Sequence, residues 1–165
     1  MSIPKLLIFG YGNPSRGDDA LGPLLLERLA EQRFPGIEYL TDFQLQVEHA
    51  LDLEGRDLVL FVDAHLSCRP PFEFARLEPK CDASYTTHAM SPGAVLQAYR
   101  EIKAEEPPAS FLLSLRGERF ELGEELSRAA RENLEEAGEF AGRLCAEPAL
   151  ERWRSLLNRR VTADA

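Results

Sequence analysis

The sequence predicts an α/β domain of three layers, α/β/α, in which helices cover both faces of a mostly parallel, twisted sheet of about five strands. Short runs at Lys5–Gly10 and Asp57–Ala64 are almost continuously apolar, as is typical of strands buried on both faces. Such runs alternate with segments of helical spacing, which favours parallel strands joined by helices. A length of 165 residues fits one domain, and we expect residues 1–165 to form it.

The first half of the chain alternates strands and helices in that order. After the strand at Lys5–Gly10, leucines recur at helical spacing over residues 21–33, which predicts a helix. Pro35-Gly36 ends this helix. The next elements are a strand at Ile37–Leu40 and a short helix at Val47–Leu53, followed by the central strand at Asp57–Ala64.

The second half begins with an alternating segment, Phe72–Leu77, which we interpret as an edge strand. Ser91-Pro92 then opens a helix to about Lys103, because Ser is a good cap and Pro suits the first helical position. The remaining elements are a fifth strand at Ser110–Leu115, a long acidic helix at Glu124–Leu144, an extension or last helix at Glu147–Asn158 and a fraying end at Val161–Ala165.

Composition narrows the partners and the compartment. The net charge is −9 and there is no basic block, so neither nucleic acid nor an anionic membrane is an expected partner. No apolar run approaches the roughly 20 residues that span a bilayer. The three cysteines, Cys68, Cys81 and Cys145, form no CxxC pair, which favours a reducing compartment. With no signal-peptide core at the N-terminus, we expect a cytoplasmic protein.

Polar residues follow the predicted strands, where ligands bind in sheets of this kind. Asp18 and Asp19 stand at the start of the first helix, Asp63 closes the central strand and His88 precedes the helix at Ser91. Two carboxylates and one imidazole form a nitrogen and oxygen ligand set with open positions, which suits nickel, zinc or iron. The sequence therefore predicts a metal-type site at Asp19, Asp63 and His88.

Each of these residues also has a simpler interpretation. One of the two aspartates, Asp18 or Asp19, could cap the following helix, and His88 could be a hydrogen-bonded surface histidine. Asp63 is harder to explain in that way, since a carboxylate at the end of an apolar strand is costly unless it is paired or bound. His65 could approach the site, whereas His49 is most simply a surface residue.

The segment Gly10-Tyr11-Gly12-Asn13-Pro14-Ser15-Arg16-Gly17-Asp18-Asp19-Ala20-Leu21-Gly22 resembles the GxGN…DD/DE…G opening of the hydrogenase maturation proteases. These endopeptidases process the large subunit of nickel–iron hydrogenases. The resemblance continues through Val62-Asp63-Ala64 and reappears at His88, with the elements in the same order. Only half of a dinucleotide fingerprint is present in the same loop, so we expect no organic cofactor.

The resemblance implies a specific activity. Family members remove a C-terminal extension from the large-subunit precursor after nickel insertion, and two acidic residues and a histidine are held to engage that nickel. The matching positions are Asp19, Asp63 and His88, which are also the candidate catalytic groups of an aspartic-type endopeptidase. The nickel would come with the substrate, and we expect the protease to be a monomer.

Further positions match the family's loop or depart from its pattern. Gly10, Gly12, Asn13 and Gly22 match the loop that supports the site. Asp18 matches the preceding acidic position and is a weaker candidate for metal contact. Many members carry an Asp-Gly-Gly-Thr-like segment after the second strand, where this chain has Thr41-Asp42-Phe43-Gln44-Leu45-Gln46. The candidate substrate contacts in that segment are Asp42, Gln44 and Gln46.

Two other functions fit part of the pattern. A phosphoacceptor receiver domain also has an acidic pair after its first strand and an Asp at the end of its third. Receivers place that pair directly at the strand end, however, and need a Lys after the fifth strand, where this chain has Ser114-Leu115-Arg116. A small-molecule metallohydrolase on the same scaffold is the other alternative, because fold does not fix function.

Overall fold

A five-stranded sheet forms the centre of the computed structural model, which describes residues 3–81 and 90–164, with side chains to residue 157. The sheet has the order β2-β1-β3-β5-β4. The strands are β1 Leu6–Tyr11, β2 Ile37–Asp42, β3 Leu58–His65, β4 Phe72–Leu77 and β5 Ala109–Arg116. Only β4 is antiparallel, and it lies at the edge, so the mostly parallel sheet and the edge strand are both confirmed.

Helices follow the strands as the alternation predicts. The α-helices are α1 Leu21–Glu31, α2 Pro92–Lys103, α3 Arg128–Ala146 and α4 Leu150–Asp164, and 3-10 helices form at Gly17–Ala20 and Val47–Leu53. Ser91 caps α2 by accepting the N–H of Ala94 at 3.1 Å, as we expected. None of the helices in the described ranges is long and apolar enough to cross a membrane.

Alternate residues of each strand point to opposite faces of the sheet and pack in two separate apolar clusters. Leu6 and Ile8 of β1 belong to the cluster covered by α1, α3 and α4. Leu7 and Phe9 belong to the cluster covered by α2 and the 3-10 helix at Val47–Leu53. Helices therefore cover both faces of the sheet, and the predicted three-layer architecture is confirmed.

Two helix boundaries differ from the prediction. Helix α3 begins at Arg128 rather than at Glu124, because the Ser127 hydroxyl accepts the N–H of Ala130 and caps the helix there. Helix α4 is separate from α3 and continues to Asp164, where we expected the chain end to fray. Apolar periodicity alone does not mark either boundary, and the start of α3 is set by the local cap at Ser127.

Candidate functional site

The carboxyl ends of β1, β2, β3 and β5 lie at one edge of the sheet because these strands are parallel. Gly10 of β1 is in register with Val62 of β3. The next residues, Tyr11 and Asp63, therefore lie side by side. Two residues earlier, Phe9 and Phe61 pack in the cluster under α2, so Tyr11 and Asp63 continue that face of the sheet beyond its apolar part.

Asp63 is partly buried and is held through one of its two oxygens. The Tyr11 hydroxyl donates a hydrogen bond to Oδ2 of Asp63 at 3.0 Å. The other oxygen, Oδ1, is buried and has no hydrogen-bond partner among the described residues. A buried acceptor without a hydrogen-bond partner destabilises the fold. Such an atom therefore calls for an explanation, and one explanation is that it binds a ligand.

Burial raises the pKa of the Asp63 carboxyl from 3.8 to about 6. The hydrogen bond from Tyr11 and the charge of His65 oppose this rise, whereas the negative charge of Asp19 adds to it. Ser114, which pairs with Asp63 across β3 and β5, also lowers the pKa of Asp63 through a side-chain hydrogen bond, but Oδ1 has no partner among the described residues. A carboxyl with a pKa near neutrality can exchange a proton at physiological pH.

Asp19 lies in the 3-10 helix at Gly17–Ala20, and its Oδ2 accepts the backbone N–H of Asn13 at 2.7 Å. The Asn13 side chain in turn accepts the N–H of Ser15 at 2.9 Å, which closes the loop after β1. Burial is the main cause that raises the pKa of Asp63 and of Tyr11, and the charge of Asp19 adds to both. The structure thus brings the carboxylates of Asp19 and Asp63 close enough to interact.

Glycines allow this loop to approach the strand ends. Gly12 has a φ of +147°, and a Cβ there would lie 2.0 Å from the carbonyl oxygen of Asp19. A Cβ at Gly22, in the first turn of α1, would lie 2.8 Å from the carbonyl oxygen of Val62. Any larger residue at either position would push the Asp19 segment away from the sheet edge.

Asp18 has a different role from its neighbour. It is fully buried, and Oδ2 accepts the N–H groups of Glu118 and Arg119 at 2.7 and 3.0 Å and the Ser127 hydroxyl at 2.7 Å. Its Oδ1 accepts the N–H of Ser127 at 2.7 Å. Burial favours the neutral acid, but these hydrogen bonds outweigh it and lower the pKa of Asp18. Asp18 therefore fixes the segment that carries Asp19.

Neither aspartate caps α1, since the N-cap residue is Ala20 and no side chain makes a capping hydrogen bond at the start of this helix. The capping interpretation of the acidic pair is therefore wrong. The oxygens of Asp18 are instead taken up by the loop that follows β5.

The three candidate substrate contacts after β2 lie in a hydrogen-bonded turn. Asp42 accepts the N–H of Phe43 at 2.7 Å and contacts Nε2 of His49 at 3.2 Å. Gln46 and His49 form a capping box at the start of the 3-10 helix, and Gln44 is partly buried. His49 is not a simple surface residue as expected, because its side chain is only 11% exposed and its ring contacts that of Phe9.

His88 lies outside the described residues, so the structure presents two of the three predicted ligands. The described chain resumes at Met90, whose N–H donates to the carbonyl of Leu45 at 3.1 Å. Met90 also packs against the cluster that Tyr11 borders. Within residues 3–81 and 90–164 no group of three or more His, Cys, Asp or Glu side chains could hold a metal.

The two described ligand candidates have the chemistry that the predicted metal requires. The buried Oδ1 of Asp63 is an acceptor without a partner, and carboxylate oxygens bind divalent cations of borderline softness when a nitrogen ligand completes the set. His65 is exposed, and its Nδ1 accepts the N–H of Ser67 at 3.1 Å. Its Nδ1 is therefore engaged within its own turn.

No protein-family model matches the sequence, and no curated protein matches it either. Solved structures do match. The [NiFe] hydrogenase maturation protease HycI from Thermococcus kodakarensis has a TM-score of 0.68 and 26% identity, covering 87% of this chain and 94% of that chain. The hydrogenase maturating endopeptidase HybD from E. coli has a TM-score of 0.64 and 26% identity, and the match covers 83% of this chain and 89% of that chain. A solution structure of an endopeptidase from Escherichia coli has a TM-score of 0.65 and 25% identity, covering 83% and 89%.

These neighbours share the fold over most of this chain and most of their own length. The resemblance to the hydrogenase maturation proteases is confirmed, together with the three-layer fold. The assignment of the chain to the peptidases, a class of hydrolases, is confirmed as well.

Tyr11 is the residue of the site that the sequence interpretation missed. Its signal was present, since Tyr11 follows Phe9 by two positions in β1 and must share its face. Residues at the ends of parallel neighbouring strands meet, so the partner of Asp63 could have been found by counting from the strand register.

Proposed function

We propose that this structural relative of the hydrogenase maturation proteases is itself an endopeptidase that removes the C-terminal extension of a nickel–iron hydrogenase large subunit. Cleavage follows nickel insertion, and the protease recognises the bound nickel through Asp19, Asp63 and His88. The metal belongs to the substrate and signals that the precursor is ready. The protease acts as a monomer in the cytoplasm.

The observation that supports this proposal best is the state of Asp63. Its Oδ1 is buried and has no partner among the described residues, at the sheet edge where ligands bind in α/β folds. The charge of Asp19 acts on the same carboxyl. An acceptor left unsatisfied beside a second carboxylate suits a cation, and the incoming nickel would supply one.

The raised pKa of Asp63 also suits proton transfer. A carboxyl with a pKa of about 6 is mostly ionised at neutral pH, and it can accept a proton from an attacking water as a general base. Nickel held in the precursor would act as a Lewis acid on the scissile carbonyl or on that water. In either chemistry Asp63 is the group that must face the reacting atoms.

The substrate side of the proposal involves the turn after β2. Phe43 is 64% exposed and stands between Asp42 and Gln44 at the same edge of the sheet. An exposed aromatic side chain beside polar groups is typical of residues that contact a protein partner. We propose that Asp42, Gln44 and Gln46 contact the precursor through this turn.

The test uses purified chain and precursor, with cleavage followed by intact mass. Asp63→Asn and His88→Ala are compared with the wild type on nickel-loaded precursor. We expect each variant to lose at least roughly 100-fold in kcat/KM, as is usual when a metal-contacting or general-base group is removed. The matched control is Asp57→Asn, since Asp57 is exposed and directly precedes β3, at the end of this strand opposite to Asp63.

Loss of the extension at the wild-type rate in both variants would contradict the proposal. The folded state of each variant is checked by circular dichroism and thermal melting, so that a loss of activity is not a loss of fold. Asp57→Asn is expected to process the precursor at the wild-type rate.

A further inference from the structure

We propose that Tyr11 is a positioning residue that orients the Asp63 carboxylate, so that Oδ1 alone faces the nickel. This inference rests on the proposed function, because it concerns the same site. The inference extends the proposed function because it assigns a role to Tyr11, which is neither a ligand candidate nor a carboxylic acid. The role is to decide which of two equivalent oxygens meets the metal.

The strand register sets the pair in place. Gly10 pairs with Val62 across β1 and β3, so Tyr11 and Asp63 follow on adjacent strands and on the same face. Neighbouring strands in a sheet lie about 5 Å apart. A phenol at the end of one strand can therefore reach a carboxylate at the end of the other without distortion of either backbone.

The hydrogen bond from Tyr11 distinguishes the two oxygens of the carboxylate. The Tyr11 hydroxyl donates to Oδ2 at 3.0 Å, whereas Oδ1 has no partner among the described residues. A carboxylate that lacked the phenol could rotate about its terminal torsion, for which the energy wells are broad. With the phenol in place, Oδ2 is occupied and Oδ1 is left as the available ligand atom.

The ring of Tyr11 has a separate, structural role. It packs against the apolar cluster that contains Phe9 and Phe61, and a phenylalanine ring would keep that packing. The substitution Tyr11→Phe therefore removes the hydroxyl and leaves the buried ring in place. Any effect on the site then comes from the lost hydrogen bond rather than from a cavity.

Tyr39 provides a matched control in β2. Its hydroxyl is also buried but has no hydrogen-bond partner among the described residues, and its ring packs on the opposite face of the sheet. Tyr39→Phe therefore removes a hydroxyl that orients nothing. Both variants lose one hydroxyl, but only the Tyr11 hydroxyl has a hydrogen-bond partner among the described residues.

The experiment titrates the full chain with Ni²⁺ alone and follows the amide signals by NMR. Ni²⁺ is paramagnetic, so the broadening of signals near Asp63 reports weak as well as tight binding. We expect Tyr11→Phe to weaken Ni²⁺ binding by roughly 10- to 100-fold, as is usual when a group that orients a metal ligand is removed. Tyr39→Phe should bind Ni²⁺ as the wild type does.

Precursor cleavage provides the second readout, and the melting temperature shows that each variant is folded. Tyr11→Phe should lower kcat/KM on nickel-loaded precursor by a similar factor. Equal Ni²⁺ binding and equal cleavage in Tyr11→Phe and Tyr39→Phe would overturn the positioning role. If Asp63→Asn and His88→Ala also cleaved normally, the proposed function itself would fail, and the Ni²⁺ titration would still judge Tyr11 without the precursor.

Discussion

Replacing Asp18 by Asn should destabilise the protein strongly, although the two side chains have the same shape. The Asp18 carboxylate is fully buried and accepts four hydrogen bonds, three from backbone N–H groups and one from the Ser127 hydroxyl. Both of its oxygens act as acceptors. An amide offers one oxygen and one NH₂ group, so in either orientation the NH₂ group must face at least one backbone N–H.

The expected cost follows from these contacts. The least damaging orientation directs the NH₂ group of Asn toward Ser127, which leaves one buried N–H without a partner, at a cost of about 1–3 kcal/mol. The remaining bonds lose their charge assistance, and a hydrogen bond to a charged group contributes about 1.5–3 kcal/mol. We therefore expect Asp18→Asn to lower the free energy of unfolding by about 3–5 kcal/mol, the range for breaking a buried charged contact.

The assay is urea denaturation together with thermal melting. Each kcal/mol shifts the melting temperature of a domain of this size by about 2–4 °C, so the expected drop is roughly 6–20 °C. The exposed Asp57 serves as the control, and Asp57→Asn should change the free energy of unfolding by less than about 0.5 kcal/mol. A drop for Asp18→Asn that is no larger than that of this control would show that the four hydrogen bonds to Asp18 do not stabilise the fold.

The pH dependence of stability provides a second test of the role of Asp18. Hydrogen bonds lower the pKa of Asp18 in the folded state below its ordinary value of 3.8. Its stabilising contribution is therefore fully present above pH 3.8 and is lost as the pH falls through the lower, folded-state pKa. The difference in stability between the wild type and Asp18→Asn should shrink in that acidic range and stay constant between pH 6 and 8.

Two further predictions concern the loop and the site. Gly12→Ala should lower the free energy of unfolding by about 3 kcal/mol or more, because the new Cβ would lie 2.0 Å from the carbonyl oxygen of Asp19. Gly36→Ala, which also has a positive φ but nothing within 4 Å, should cost only about 1 kcal/mol; equal costs in urea denaturation would show that the approach to Asp19 is not tight. Asp63→Asn should stabilise the fold by about 1–3 kcal/mol at pH 8 and have little effect at pH 4. Burial raises the pKa of the Asp63 carboxyl from 3.8 to about 6. The wild type therefore loses stability as the pH rises through this interval, because the buried carboxyl must ionise, whereas the Asn variant does not. The same change in stability at both pH values would contradict a destabilising charge at this position.

The main elements of the fold could be predicted from the sequence because their signals are local. The apolar run at Asp57–Ala64 predicts the central strand, observed at Leu58–His65. Alternation at Phe72–Leu77 predicts an edge strand, and β4 has those bounds. The Ser91-Pro92 pair marks the start of α2. In each case neighbouring residues carry the whole signal, so no tertiary contact has to be known.

The division of labour between Asp18 and Asp19 could not be predicted in this way. Both are acidic residues at the start of the same helix, and only contacts with Glu118 and Ser127 distinguish them. Those partners lie about 100 positions further along the chain. The start of α3 depends on the same cluster, because Ser127 both caps this helix and binds Asp18.

We expect the chain to cleave its substrate only when the substrate contains nickel. The most direct measurement incubates the wild-type chain with matched nickel-loaded and nickel-free large-subunit precursor and follows the intact mass of each. We expect only the nickel-loaded precursor to lose its C-terminal extension. Equal processing of the nickel-free precursor would contradict a site in which Asp19, Asp63 and His88 recognise the metal.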